Sequence, residues 1–79
     1  MKVFRYNICT QADNKIFEKQ CKAIEKHIPN IQKEVLLVDV DGSQTQSYKV
    51  NGKTLSVHNS YYVDAVYIES QIDIEKYFN

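Results

Sequence analysis

The stretch SYKVNGKTLSVH, Ser47 to His58, decides the fold. Two runs of alternating apolar and polar residues meet at Asn51-Gly52. A two-residue type I′ turn needs φ > 0 at both central positions, which Asn tolerates and Gly adopts without steric cost. Such a loop pairs Val50 with Lys53, Tyr48 with Leu55 and Gln46 with Val57. That register gathers Tyr48, Val50, Leu55 and Val57 on one face and leaves Ser47, Lys49, Thr54, Ser56 and His58 on the other. One side is fit for a core, and His58 reads as a strand residue on the wet side.

On either side of this hairpin the period of two continues. Upstream, EVLLVDV (Glu34 to Val40) reads as a strand joined through a turn at Asp41-Gly42-Ser43 to QTQSYKV (Gln44 to Val50). Downstream, Asn59-Ser60 begin a turn, YYVDAVYIES (Tyr61 to Ser70) makes the last strand, and IDIEKYF (Ile72 to Phe78) a short helix. At the other end, KVFRYNIC (Lys2 to Cys9) is a strand with Phe4, Tyr6 and Ile8 toward one side. Thr10 and Asp13 offer a helix start, and Pro29 stops the helix at about Ile28. Within it Phe17, Cys21, Ile24 and Ile28 form an apolar stripe, and Lys15, Lys19, Lys22 and Lys26 repeat those spacings on the opposite side.

The expected architecture is therefore a single small α+β domain over residues 1–79 in β-α-β-β-β-β-α order. A mostly antiparallel sheet carries one long amphipathic helix on one face, with a short C-terminal helix. The crossover helix is expected to make the first two strands parallel neighbours, with the right-handed sense.

The segment LLVDVDGSQTQ, Leu36 to Gln46, contains two aspartates two apart before a glycine and a hydroxyl residue. Over about eight residues it resembles the opening motif of the haloacid-dehalogenase-like phosphotransferases. That resemblance implies Asp39 as the nucleophile on phosphorus and Asp41 as the general acid. The family also needs a Ser/Thr, a lysine and an adjacent acidic pair downstream on a much larger sheet and cap. After Gly42 only Lys49, Lys53 and Lys76 follow, and Asp64, Glu69, Asp73 and Glu75 include no adjacent pair. Read as turn chemistry, the same letters need nothing further, and no enzymatic activity is expected. Nor does the segment fit a calcium loop, because Leu37 and Tyr48 fall where oxygen ligands belong.

Ten basic and ten acidic residues leave the chain neutral, with 43% apolar content, which suits a folded domain rather than a disordered one. The N-terminal MKVFRYN lacks the apolar core of an export signal and no run is long enough to span a bilayer, so a cytoplasmic protein without a membrane role is expected. Cys9 and Cys21 match no metal or redox spacing and read as free thiols. Cys21 and His27 stand on different sides of the helix, so neither a metal nor another cofactor is expected.

Two strands break simple alternation. Leu36, Val38 and Val40 share one face, yet Val35 and Leu37 are also apolar. In the last strand an inward Asp64 would cost several kcal/mol unpaired, which places Val63, Ala65 and Tyr67 inward and Tyr62, Asp64, Val66 and Ile68 outward. The sheet then has apolar residues on both faces while the long helix covers one. The uncovered patch marks a candidate contact with another protein or a second copy of the chain, formed by Leu37, Tyr61, Tyr62, Asp64, Val66 and Ile68. The leading expectation is thus a small interaction module that blocks or regulates a partner, as inhibitors, immunity proteins, antitoxins and phage accessory proteins do. The alternative is a nucleic-acid-binding accessory domain. Residues 1–35 carry seven basic and four acidic groups, and the lysine stripe Lys15, Lys19, Lys22 and Lys26 would then supply the phosphate contacts. Against it, Glu18 and Glu25 flank the stripe and no aromatic interleaves it.

Overall fold

A computed structural model describes residues 3–78; Lys2, where the first strand was expected to begin, lies outside the described residues, as do Met1 and Asn79. The elements are β1 (Phe4–Cys9), α1 (Asn14–His27), β2 (Gln32–Val38), β3 (Gln44–Val50), β4 (Lys53–Ser60) and β5 (Ala65–Ser70), followed by a single 3-10 turn at Glu75–Tyr77. The class is α+β: five antiparallel strands and one helix. Their order across the sheet is β1-β5-β4-β3-β2.

The Asn-Gly hairpin forms in the expected register, with Val50 opposite Lys53, Tyr48 opposite Leu55 and Gln46 opposite Val57. Asn51 and Gly52 both take the left-handed φ that the turn demands, 51° and 80°. Asp13, not Thr10, caps α1, accepting from the Ile16 N–H at 3.0 Å. At the other end Ile28 is extended before Pro29, because the proline ring excludes the helical region for its predecessor.

The strand order corrects the sequence reading. The first two strands run in the same direction, as four successive antiparallel steps require, but they are the two edges of the sheet and not neighbours. Four strand spacings span ~19 Å. A 14-residue helix is ~21 Å long, enough to carry the chain across before the β2-to-β5 meander returns it to β1. Pairing β1 with β5 sets Tyr6 beside Ile68 and Arg5 beside Glu69.

The last strand is corrected too. Asn59 and Ser60 belong to β4, and Tyr61, Tyr62, Val63 and Asp64 are the turn, with Asp64 at φ 56°. Ser60 pairs with Ala65, so alternation starts afresh there and buries Val66, Ile68 and Ser70. Tyr67 lies on the other face. Asp64 had anchored the expected register, but it is not in the strand and exerts no constraint on which side turns inward.

The core lies on one side of the sheet. Phe17, Cys21 and Ile24 of α1, with Ile28 just past it, pack on Tyr48, Val50, Leu55, Val57 and Ile68. The C-terminal segment was expected as a short helix. It forms only one 3-10 turn, and its buried Ile74 joins the same core beside α1. No element among the described residues covers the second face.

Candidate functional site

Three surfaces are available for chemistry: the open face of the sheet, the β2 edge with the neighbouring turns, and the grooves beside α1. Turn geometry disposes first of the aspartate pair. Asp39 Oδ1 accepts from the Val40 N–H at 2.7 Å and Asp41 Oδ1 from the Ser43 N–H at 2.9 Å, while the Asp39 N–H donates to the Ser43 carbonyl. The bond from Ser43 holds the Asp41 carboxyl below its ordinary range. Both carboxylates bond to N–H groups of their own turn, and β2 ends at Val38, two residues before the end read from sequence.

The open face is a polar grid. One row crosses the sheet as Asn7, Tyr67, His58, Thr45 and Leu37, and a second contains Arg5, Glu69, Ser56 and Ser47. His58 sits in the first row, stacked on Tyr67 with ring centroids 4.7 Å apart. Its Nε2 is 3.3 Å from Glu69 Oε1 and its Nδ1 3.2 Å from Thr45 Oγ1. Burial pushes the imidazole below its ordinary value, the Glu69 carboxylate pulls it up, the Arg5 guanidinium pushes it down, and burial prevails. A neutral ring satisfies every contact: Nε2–H donates to Glu69, and Nδ1 accepts from the Thr45 hydroxyl. Carboxylate, imidazole and hydroxyl in line could relay a proton. They lie on the open face of a sheet whose backbone N–H groups belong to the strand ladders, with the Arg5 guanidinium 4.9 Å from the Tyr67 ring centroid.

The β2 edge differs in kind. All seven of its residues are exposed, and Val35, Leu37 and Val38 show 76%, 61% and 63% of their surface. Leu36 and, in the turn beyond, Val40 are exposed as well. Residues 36–38 pair regularly with 46–44, and the Asp39 N–H faces β3. Alternation therefore turns the N–H and C=O of Leu36 and Val38 away from the sheet, ready to accept another strand. A bulge between Lys33 and Leu36 is the one irregularity. Side-chain ties to β2 are a bond from Gln46 Nε2 to the Glu34 carbonyl at 2.6 Å and an ion pair of Lys33 with Glu25 at 3.4 Å.

At the end of this edge two turns meet. The Tyr61 N–H donates to Ser43 Oγ at 2.9 Å and the Tyr61 hydroxyl to Asn14 Oδ1, which ties the β4–β5 turn to the β2–β3 turn and to α1. Asp64 accepts from the Ala12 N–H at 2.8 Å and so holds the loop before the helix. Tyr62 and Val63 at the tip are exposed, Tyr62 at 84%. Of the expected contact residues, Leu37, Tyr61, Tyr62 and Asp64 are thus exposed at the β2 edge and the adjoining turns. Val66 and Ile68 are not available to a partner, being core residues at 0% and 1% exposure. Sequence reading missed Leu36, Val38, Val40 and Val63; for Leu36 and Val38 the unbroken VLLV run was the only signal.

The grooves flank α1. One of about 250 Å³ separates it from β2, lined by Phe17, Cys21, Lys22 and Leu36 among others. Burial raises the Cys21 thiol above its ordinary value, which suits an inert packing residue. The second, about 290 Å³, lies under β1 and the C-terminal turn, with Tyr6, Ile8, Ile74 and Phe78 in its walls. Lys15, Lys19, Lys22 and Lys26 are exposed along α1. Among the described residues no three His, Cys, Asp or Glu side chains gather as a metal site, and no helix is long and apolar enough to cross a membrane. No family model matches the chain, no curated protein matches its sequence, and no solved structure matches its fold.

Proposed function

We propose that this protein is a small interaction module that blocks or regulates a partner protein by occupying its surface. It would work in the cytoplasm, where Cys9 and Cys21 persist as free thiols. The observation that carries the reading is β2: an edge strand with exposed Val35, Leu36, Leu37 and Val38 and outward backbone groups. Such an edge is a liability unless something pairs with it. Tyr62 and Val63 extend the apolar surface around the corner, and tyrosine supplies large contact area while its hydroxyl stays hydrated.

The test is capture of host protein on immobilised wild type, Leu37→Lys, Tyr62→Ala and the control Lys15→Gln/Lys19→Gln. Capture that falls at least ~tenfold in the first two variants, with unchanged melting and with the control behaving as wild type, supports the module. Salt-sensitive binding to DNA or RNA that weakens in the lysine variant would replace it with the nucleic-acid reading.

A further inference from the structure

We propose that β2 pairs antiparallel with β2 of a second copy, giving a two-fold dimer with one continuous sheet of ten strands, five from each chain. The inference rests on reading β2 as a binding edge and names what occupies it.

Self-complementarity singles out a second copy. The middle of the strand, Val35 to Val38, is apolar, and its ends differ in charge: Lys33 and Glu34 at the start, Asp39 and Asp41 just beyond the finish. Antiparallel pairing about a two-fold axis brings Lys33 of each strand, which also bridges Glu25 of its own chain at 3.4 Å, alongside the Asp39 end of the other, twice over. A parallel copy would set the two aspartate ends together instead. With the axis at Leu37, the outward N–H and C=O of Leu36 find those of Val38 in the other strand, and Leu36 of each chain packs beside Val38 of the other next to the groove that separates α1 from β2. A two-fold normal to the sheet places both helices on the same side. The dimer floor between them is then lined by Leu36 and Val38 of both chains.

The other edge explains why this pairing closes. β1 carries Arg5, which is ion-paired to Glu69 at 3.3 Å. The C-terminal segment is held against it where the Tyr6 hydroxyl donates to Asp73 and accepts from the Ile74 N–H. Head-to-tail joining of β1 to β2 would propagate into a filament, whereas β2 to β2 uses up the apolar edge left open among the described residues and stops. A contact of this length stands at the small end of stable interfaces, so the dissociation constant should be on the order of micromolar.

Sedimentation equilibrium of the full chain from about 1 to 500 µM tests it, with Val38→Pro and Leu36→Lys as variants. Proline at Val38 removes only an outward N–H. Lysine at Leu36 puts two like charges close to the axis and leaves the backbone intact, so it carries the test should Val38→Pro fail to fold. The expected result is a mass rising from 9.2 kDa toward twice that value in the wild type, and a dimer weakened at least tenfold in either folded variant. A wild type that stays monomeric throughout, or a dimer that both variants leave intact, overturns the proposal. A monomer that captures a different protein through β2, losing it in Leu36→Lys, overturns the second copy but leaves the binding edge standing. Loss of both dimer and β2-dependent capture overturns both readings.

Discussion

Asn59 is fully buried at the end of β4, and both ends of its amide are used. Its Oδ1 accepts from the Asp13 N–H at 3.0 Å, and its Nδ2 donates to Asn14 Oδ1 at 2.9 Å and to Gln44 Oε1 at 3.4 Å. The side chain therefore fixes the start of α1 to two strands of the sheet. Asn59→Ala should cost about 2–3 kcal/mol in denaturant unfolding, because the partners lose their bonds inside the fold. A loss below ~0.5 kcal/mol would mean that the helix is docked by its apolar stripe alone. From sequence, Asn59 reads as a turn residue, since asparagine before serine is an ordinary turn signal and burial by tertiary contact leaves no local trace. His58 was placed correctly on the polar face, but its row neighbours Tyr67 and Thr45 depend on strand order. With its folded value depressed by burial, an unfolded chain takes up the proton at about 6.5 while the folded ring still refuses it. The stabilisation is present above that pH and lost as pH falls below it. Melting temperature should accordingly drop between pH 7.5 and 5.5, and less so in His58→Gln; equal slopes for both proteins would place the titration elsewhere.

At the scale of elements, the alternating Ser47–His58 hairpin was fully legible, because turn chemistry and period agreed on one register. The last strand was not. YYVDAVYIES offers apolar residues at both parities, and choosing between them rested on Asp64, a residue that the φ of 56° puts in the turn. The two registers differ over Ile68 and Tyr67 and agree that Tyr62 is exposed. Tyr62→Ala removes an exposed side chain and should change stability by less than ~0.5 kcal/mol. Ile68→Ala opens a cavity in the core and should cost about 2–5 kcal/mol. Tyr67→Ala falls between, since the ring is half-buried and stacked on His58. If chemical denaturation ranked Tyr62→Ala as the most damaging of the three, Asp64 would have to point inward, and the exposed turn surface proposed for binding would vanish.

At the scale of the whole molecule, strand order was the feature that sequence could not supply, since it depends on which edges meet after the helix has crossed the sheet. Arg5 and Glu69 stand opposite each other, but opposite charges 64 residues apart could pair in many ways. The order β1-β5-β4-β3-β2 ranks the strands by how firmly they are held. β4 and β5 lie between neighbours and bring Leu55, Val57 and Ile68 to the core, whereas β2 brings no buried residue and hangs beyond α1. Local opening should start where apolar contact is least. Amide exchange at concentrations low enough to keep the protein monomeric should therefore be slowest at Val57 and Ile68. It should be faster by orders of magnitude at Leu36 and Val38, whose N–H groups face away from β3, and intermediate at Leu37, which bonds inward. This alternation within β2 distinguishes an edge strand from a loosely attached loop, in which Leu37 would exchange as fast as its neighbours. Protection of Leu36 and Val38 that appears only as concentration rises would locate the self-pairing on that edge, while slow exchange of both in the dilute monomer would contradict the strand order itself.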